Sequence, residues 1–526
     1  MSVKTEAPTF EEQVIAYSKL SEVEYDKVRK QLAKELNVRV KTLDDEISKT
    51  RASNDDSDDG SKTENIIDLV KEAGIILFHD DMDIAFAEVT VDQHVEVWPI
   101  ESKQFKKWLN RIFWNKHGKP LKDQQRKDAI STLLGLADID GQELKVYLRA
   151  AYSDGKHYLD LCDKEWRVIE IDVSGWRVLD RSPVKFRRTA TMQALPVPIS
   201  GGDHTLLWDL INVTEGDRMF ILTWIIDSMR ENTQCPVLEI VGGHGSAKST
   251  VHRFIRRLFD PNTVDLRGAP SKESDVWVAV KSNRCISYEN MSVASSSMQD
   301  TFCIIGTGGG HAGRALYSDY DEVVVKALNP IIINGISPVI TAGDLADRAI
   351  RITVPKLDST KIRQESEISA AFSAAQQSIF SGILDVFVAA LSEIDKIVIH
   401  KKPRMLDYSI LGEAIGNVTG AKESFNEQYM TMREKLLIHA TQGCLAMMAI
   451  GLMVNTTGTF NGTYKALLIR LDDHKLKSGG NDWPATPRKL SALIVRHEPG
   501  LNAMGIQITR NDHSREGNTI KIEVIK

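Results

Sequence analysis

Between positions 236 and 258 an apolar run, Pro236-Val-Leu-Glu-Ile-Val241, breaks into Gly242-Gly-His-Gly-Ser-Ala-Lys-Ser249. Apolar residues then return at helical spacing as Val251, Phe254, Ile255 and Leu258. This pattern constrains the chain to a buried strand, a tight loop of small residues and a helix. In that context backbone N–H groups can wrap phosphates at the helix N-terminus. The candidate nucleotide-binding set is Gly242, Gly243, His244, Gly245, Ser246, Ala247, Lys248, Ser249 and Thr250. Lys248 suits the β- and γ-phosphates of ATP, and the Ser249 hydroxyl suits Mg²⁺. Ala247 departs from the pattern, which has Gly before the Lys. Alanine is small and can hold helical dihedrals, so binding is expected to survive.

Such a site needs an acid beside the Mg²⁺, on the end of another strand. The best candidate is Arg284-Cys-Ile-Ser-Tyr-Glu-Asn290, where Glu289 would hold the metal's hydration shell. Asn290 falls where a water-activating Glu usually stands, and an amide cannot accept a proton at neutral pH. Further on, Pro330-Ile-Ile-Ile-Asn334 is an apolar strand ending in a polar residue suited to sensing a γ-phosphate. In Asp344-Leu-Ala-Asp-Arg348 an arginine sits on a short loop, from which it could act as a finger on a neighbouring subunit's nucleotide.

The surroundings predict an α/β multidomain protein. Residues 1–50 carry a helical pattern, and 51–62 (Arg51-Ala-Ser-Asn-Asp-Asp-Ser-Asp-Asp-Gly60 in its core) are too acidic and too poor in apolar residues to be anything but a flexible linker. Residues 63–200 read as an α+β accessory domain, with an Asp154-Gly155 hairpin turn. The ATPase domain spans 201–356, a helical connecting region 357–456, and a winged-helix domain 457–526. Five scattered cysteines suit a reducing cytosol, and the 12-residue apolar run 443–454 is too short to cross a membrane. The expected location is therefore cytoplasmic, with no membrane partner.

Taken in order, the glycine-rich loop, the acidic strand, the Gly306-Thr-Gly-Gly-Gly-His-Ala-Gly-Arg314 segment, the strand ending in Asn334 and the Leu-x-Asp-Arg loop resemble the superfamily III helicase module. More closely, they are similar to the primase–helicase ATPases of phages, plasmids and integrated elements, the poxvirus-type group. The resemblance is strong over 205–355. It implies an AAA+ core, a homo-oligomeric ring (a hexamer), ATP and Mg²⁺ held between subunits, and translocation on single-stranded DNA through the pore. It assigns Lys248 and Ser249 to the loop roles, Glu289 to the metal, Asn334 to the sensor and Arg348 to the trans finger. The 307–322 segment becomes a hairpin reaching into the pore. Relatives often carry a primase domain, so a primase acting in trans is a further expected partner.

His311, Arg314 and Lys326 are the donors near that hairpin that could touch phosphates. Over 461–526 there are 11 Lys/Arg against 7 Asp/Glu, within a chain of net charge −6. Two helices and a hairpin there suggest duplex contacts through Arg488, Lys489, Arg496 and Arg515. Two functions remain open: an ATP-dependent DNA helicase of a phage or mobile element, or an ATP-switched DNA-binding oligomer, regulatory or antiphage, that unwinds nothing.

Overall fold

The computed structural model describes residues 9–314, 322–358, 360, 362–474, 483–514 and 517–525. The chain divides into two compact units, Met1–Lys145 and Val146–Lys526. The division falls inside the stretch expected to form one accessory domain.

The first unit opens with α1 (Phe10–Ser18) and α2 (Glu22–Glu35). Thr9 and Ser21 cap them, each in a reciprocal box with a Glu three residues on. A single helix, α3 (Val40–Glu72), follows and runs through the acidic stretch expected to be a flexible linker. Composition misled here because both ends of the stretch are anchored. Leu43 and Ile47 pack with Val14, Tyr25 and Leu32, while Ile66, Ile67 and Val70 belong to a second core. No proline interrupts the intervening turns. Then come β1 (Ile76–His79), β2 (Ala85–Val91), β3 (His94–Pro99), α4 (Lys103–His117), α5 (Asp123–Ile139) and β4 (Gln142–Glu143). The sheet order is β3-β2-β1-β4. Phe105, Leu109 and Phe113 of α4 and Ala129, Leu133 and Ala137 of α5 face this second core.

The second unit begins with β5 (Val146–Tyr147), β6 (Ala150–Ser153), β7 (Lys156–Asp160), β8 (Val168–Asp172), β9 (Gly175–Leu179) and β10 (Lys185–Phe186). Strands β6 to β9 form an antiparallel meander. Asp154 and Gly155 make its first turn with φ of 51° and 77°, the left-handed pair a two-residue hairpin requires. Next, α6 (Glu215–Ser228) is buried on every side from Phe220 to Ser228, so it is a core helix.

The parallel-sheet core follows: β11 (Val237–Val241), α7 (Lys248–Arg257), β12 (Arg267–Gly268), α8 (Glu273–Ser282), β13 (Ile286–Glu289), α9 (Ser296–Thr307), β14 (Gly309–Arg314), β15 (Glu322–Ala327), β16 (Ile331–Gly335), α10 (Gly343–Ala346) and β17 (Ala349–Thr353). Five of these strands form a sheet in the order β12-β13-β16-β11-β17, parallel throughout. All five C-terminal ends therefore meet at one edge.

Helix α11 (Glu365–Leu391) is long and apolar enough to cross a membrane by composition, yet Phe372, Ile379, Phe380, Ile383 and Phe387 are buried in the protein core. After α12 (Leu406–Thr419), α13 (Phe425–Gln442) and α14 (Leu445–Thr457) meet at a 98° bend. The remaining elements are β18 (Thr459–Thr463), α15 (Tyr464–Asp472), α16 (Pro487–Ala503), β19 (Ile506–Ser514) and β20 (Gly517–Val524), with sheet order β18-β20-β19. Met447, Ile450, Met453 and Val454 of α14 pack with Leu467, Leu490, Ile494 and Ile520. The apolar run assigned to the connecting region thus belongs to the C-terminal core.

Candidate nucleotide site

The glycine-rich loop leaves the C-terminal end of β11 between β16 and β17, and Lys248 opens α7. Two strands away on the same sheet edge, β13 ends at Glu289, partly exposed, with Asn290 exposed beyond it. The loop's packing explains its small residues. A Cβ on Gly242 would lie 2.5 Å from Ser246 Oγ, and Gly245 has a φ of +73°. Ala247 also lies in the left-handed region, at φ 64° and ψ 25°, not in the helical conformation its size suggested. A Cβ there costs about 1–2 kcal/mol. Ala247→Gly should therefore raise stability by about 1 kcal/mol, read as a higher midpoint of chemical unfolding.

Asn212, which no sequence motif singled out, fixes the loop from behind. Its Nδ2 donates to Ser246 O at 3.0 Å and to Pro355 O at 2.6 Å. Ser246 Oγ is itself buried without a partner. Pro355, Thr353 and Thr214 also line a neighbouring cavity of ≈ 1070 Å³.

Asn334 reaches the correct edge, but its side chain is fully buried. Its Oδ1 accepts from Asn290 N at 3.0 Å, and its Nδ2 lies 2.7 Å from His252 Nδ1 on α7. The imidazole therefore accepts at Nδ1 and donates from Nε2 to Ser287 Oγ at 2.9 Å, while Ser287 Oγ donates to Asp265 O at 2.7 Å. Every partner is satisfied by a neutral ring. Burial, reinforced by Arg256 and Arg253, lowers the His252 pKa to about 3. So Asn334 couples the loop's helix to the backbone of Asn290, and in this conformation its amide is engaged there rather than offered to a phosphate.

Buried His157 and His497 are likewise held neutral, at about 3 and about 4, by desolvation first and a nearby arginine second. Unfolded histidines protonate from about 6.5 downwards. Stability is thus complete above pH 6.5 and is lost progressively as pH falls towards 3. Melting temperature should fall across that window, and His497→Phe should flatten the decline.

Arg348 turns inward. It is 9% exposed, pairs with Asp344 Oδ1 at 2.5 Å, and donates to Asp344 O at 2.9 Å. A finger must present its guanidinium to another chain, and this one is folded onto its own helix. The nearby Glu239 of β11 is also structural: it accepts from Val339 N and Ile340 N and pairs with Arg351 at 2.5 Å.

The hairpin expected at 307–322 has paired legs, with His311 opposite Val325 and Arg314 opposite Glu322. His311 is exposed and stacks on Trp277, centroids 5.2 Å apart, and Lys326 is exposed on the second leg. On α16, the Thr486 side chain caps the start, and Arg488 and Lys489 are exposed. Arg496 is tied to Asp300 of α9 at 2.7 Å, which removes it from the free basic face. The reason is close helix packing: a Cβ on Gly500 would lie 1.9 Å from Thr441 Oγ1 of α13, and one on Gly343 of α10 would lie 2.8 Å from Arg496 O. Arg515 lies outside the described residues.

Among the described residues no group of three or more His, Cys, Asp or Glu could hold a metal. Mg²⁺ takes one or two protein oxygens and completes its shell with phosphates and water. The Ser249 hydroxyl and Glu289 carboxylate are donors of that kind.

Two family models fall on this unit, both of replication proteins from mobile elements, and the chain is a mobile-element replication protein. Residues 205–430 match the actinomycete integrative conjugative element replication protein, and residues 446–526 match the C-terminal domain of that element's RepA. Among solved structures, the apo A form of the NrS-1 C-terminal region covers 88% of this chain and 99% of its own, at 12% identity and a TM-score of 0.40. Two further apo structures of that region give 13% identity with a TM-score of 0.36, and 12% with 0.37, each covering 88% of this chain and 98% of its own. Likeness at this level assigns neither fold nor activity. No curated protein matches.

Proposed function

We propose that the chain is an ATP-dependent DNA motor of element replication, an AAA+ helicase of the superfamily III kind working as a ring, a hexamer by analogy, in the cytoplasm. The observation that carries this reading is the shared sheet edge. A glycine-rich loop and Lys248 stand on the central strand, and Glu289 ends a parallel strand two places away. Lys248 would neutralise the β- and γ-phosphates of ATP. Ser249 and Glu289 would hold Mg²⁺, which supplies charge neutralisation at the phosphates when bound. Asn334 would act through Asn290 as a positioning residue, and a trans role for Arg348 would require it to leave Asp344. Single-stranded DNA in the pore would meet His311, Arg314 and Lys326. The C-terminal core, read as a winged helix, would offer Arg488 and Lys489 to duplex, and a separate primase would supply primers.

A second reading is an ATP-switched DNA-binding oligomer without unwinding. It is favoured by Asn290 in the place of a catalytic acid and by the inward-turned Arg348. Strand displacement on a forked duplex separates the two, with Lys248→Ala and Arg348→Ala as controls. Hydrolysis stimulated by single-stranded DNA with no displaced strand would remove the motor reading.

A further inference from the structure

From 102 to 122 the chain carries seven Lys or Arg and no Asp or Glu, although its net charge is −6. Within this stretch α4 is an amphipathic helix held firmly in place. Phe105 and Leu109 are fully buried, Phe113 nearly so, Ser102 caps the N-terminus, and left-handed Gly118 ends it. Its outward face carries Lys103, Lys107, Arg111 and Trp114, all exposed. At 100° per residue these four lie within an arc of about 80°, the cations about 6 Å apart along the axis. Among the described residues none of the three cations has an acidic partner, whereas Lys116, off this stripe, pairs with Glu72 at 3.2 Å. Trp114 is 54% exposed and stacks on no other ring among the described residues. Lys119 and Lys122, both exposed, extend the charge beyond the helix.

We propose that this stripe binds single-stranded nucleic acid, with Lys103, Lys107 and Arg111 on successive phosphates and a base stacked on Trp114. Regularly spaced cations beside an exposed aromatic ring are the elements of sequence-tolerant strand binding. A membrane surface fits less well. An interfacial helix needs a broad apolar face, and the apolar face of α4 is already in the core. The stripe lies outside both segments matched by the family models. It does not depend on the nucleotide-site reading, which can fail without affecting it.

The test is fluorescence anisotropy of a labelled thirty-nucleotide oligo(dT) with the full chain over a range of salt concentrations. Lys103→Gln/Lys107→Gln/Arg111→Gln should weaken binding about tenfold or more and make the log–log salt slope shallower by about 2, at about 0.7 per lost phosphate contact. Trp114→Ala should weaken it about fivefold or more. ATP hydrolysis without DNA should be unchanged in both, which also reports intact folding. Wild-type affinity and slope in the triple variant overturn the proposal. So does loss of binding to phosphatidylserine vesicles while oligonucleotide binding is retained.

Discussion

Lys248→Ala is expected to reduce ATP hydrolysis by about a hundredfold or more, the usual effect of removing a preorganised donor from a transition state that gathers negative charge. The fold should survive. Lys248 is only partly buried, begins its helix, and forms no ion pair among the described residues. Melting temperature without nucleotide should therefore match wild type, while the rise produced by MgATP should vanish. Hydrolysis and melting together make the result decisive. An inactive variant that still gains full thermal protection from MgATP would leave binding elsewhere. A fully active one would refute the nucleotide site.

The second large effect is on stability. Arg149 and Asp260 are each 1% exposed and pair at 3.2 Å. Arg149 also donates to Asp160 O at 2.9 Å and Gln193 O at 2.7 Å, while Asp260 Oδ2 accepts from Cys285 N at 3.0 Å. Arg188 completes the group, bonded to Asp160 and lying 3.9 Å over the Trp166 ring. Removing Arg149 leaves the buried Asp260 carboxylate with only the longer 3.8 Å pair to Arg256, so Arg149→Ala should cost about 3–5 kcal/mol. Arg188→Ala removes a more exposed charge and should cost less. Urea unfolding followed by tryptophan fluorescence measures both. A loss below about 1 kcal/mol for Arg149→Ala would mean that water reaches Asp260 and the network is not sealed.

What could be read in advance followed sequence distance. The loop, its strand and its helix are contiguous, so small residues, an apolar run and helical spacing sufficed. The Asp154-Gly155 turn was legible for the same reason. Asn212, Glu239 and His252 carried no signal because their partners lie 34 to 143 residues away. Asn334 and Arg348 were found by their order in the chain, but order says nothing about where a side chain turns. The acidic stretch near residue 55 was misread because its composition was weighed apart from its anchored flanks. The run 443–454 was placed in the connecting region because an apolar run marks a buried helix without naming what buries it.

Helix α16 touches two matters at once. Its N-terminal half offers Arg488 and Lys489 to solvent, and its C-terminal half lies against α10, the short helix whose Asp344 holds Arg348. Linkage makes such an arrangement reciprocal. If a ligand on the exposed half displaces α16, the change that loosens α10 must in turn alter that ligand's affinity by the same factor. The C-terminal core and the Arg348 latch would then report on each other's state without sharing a binding site.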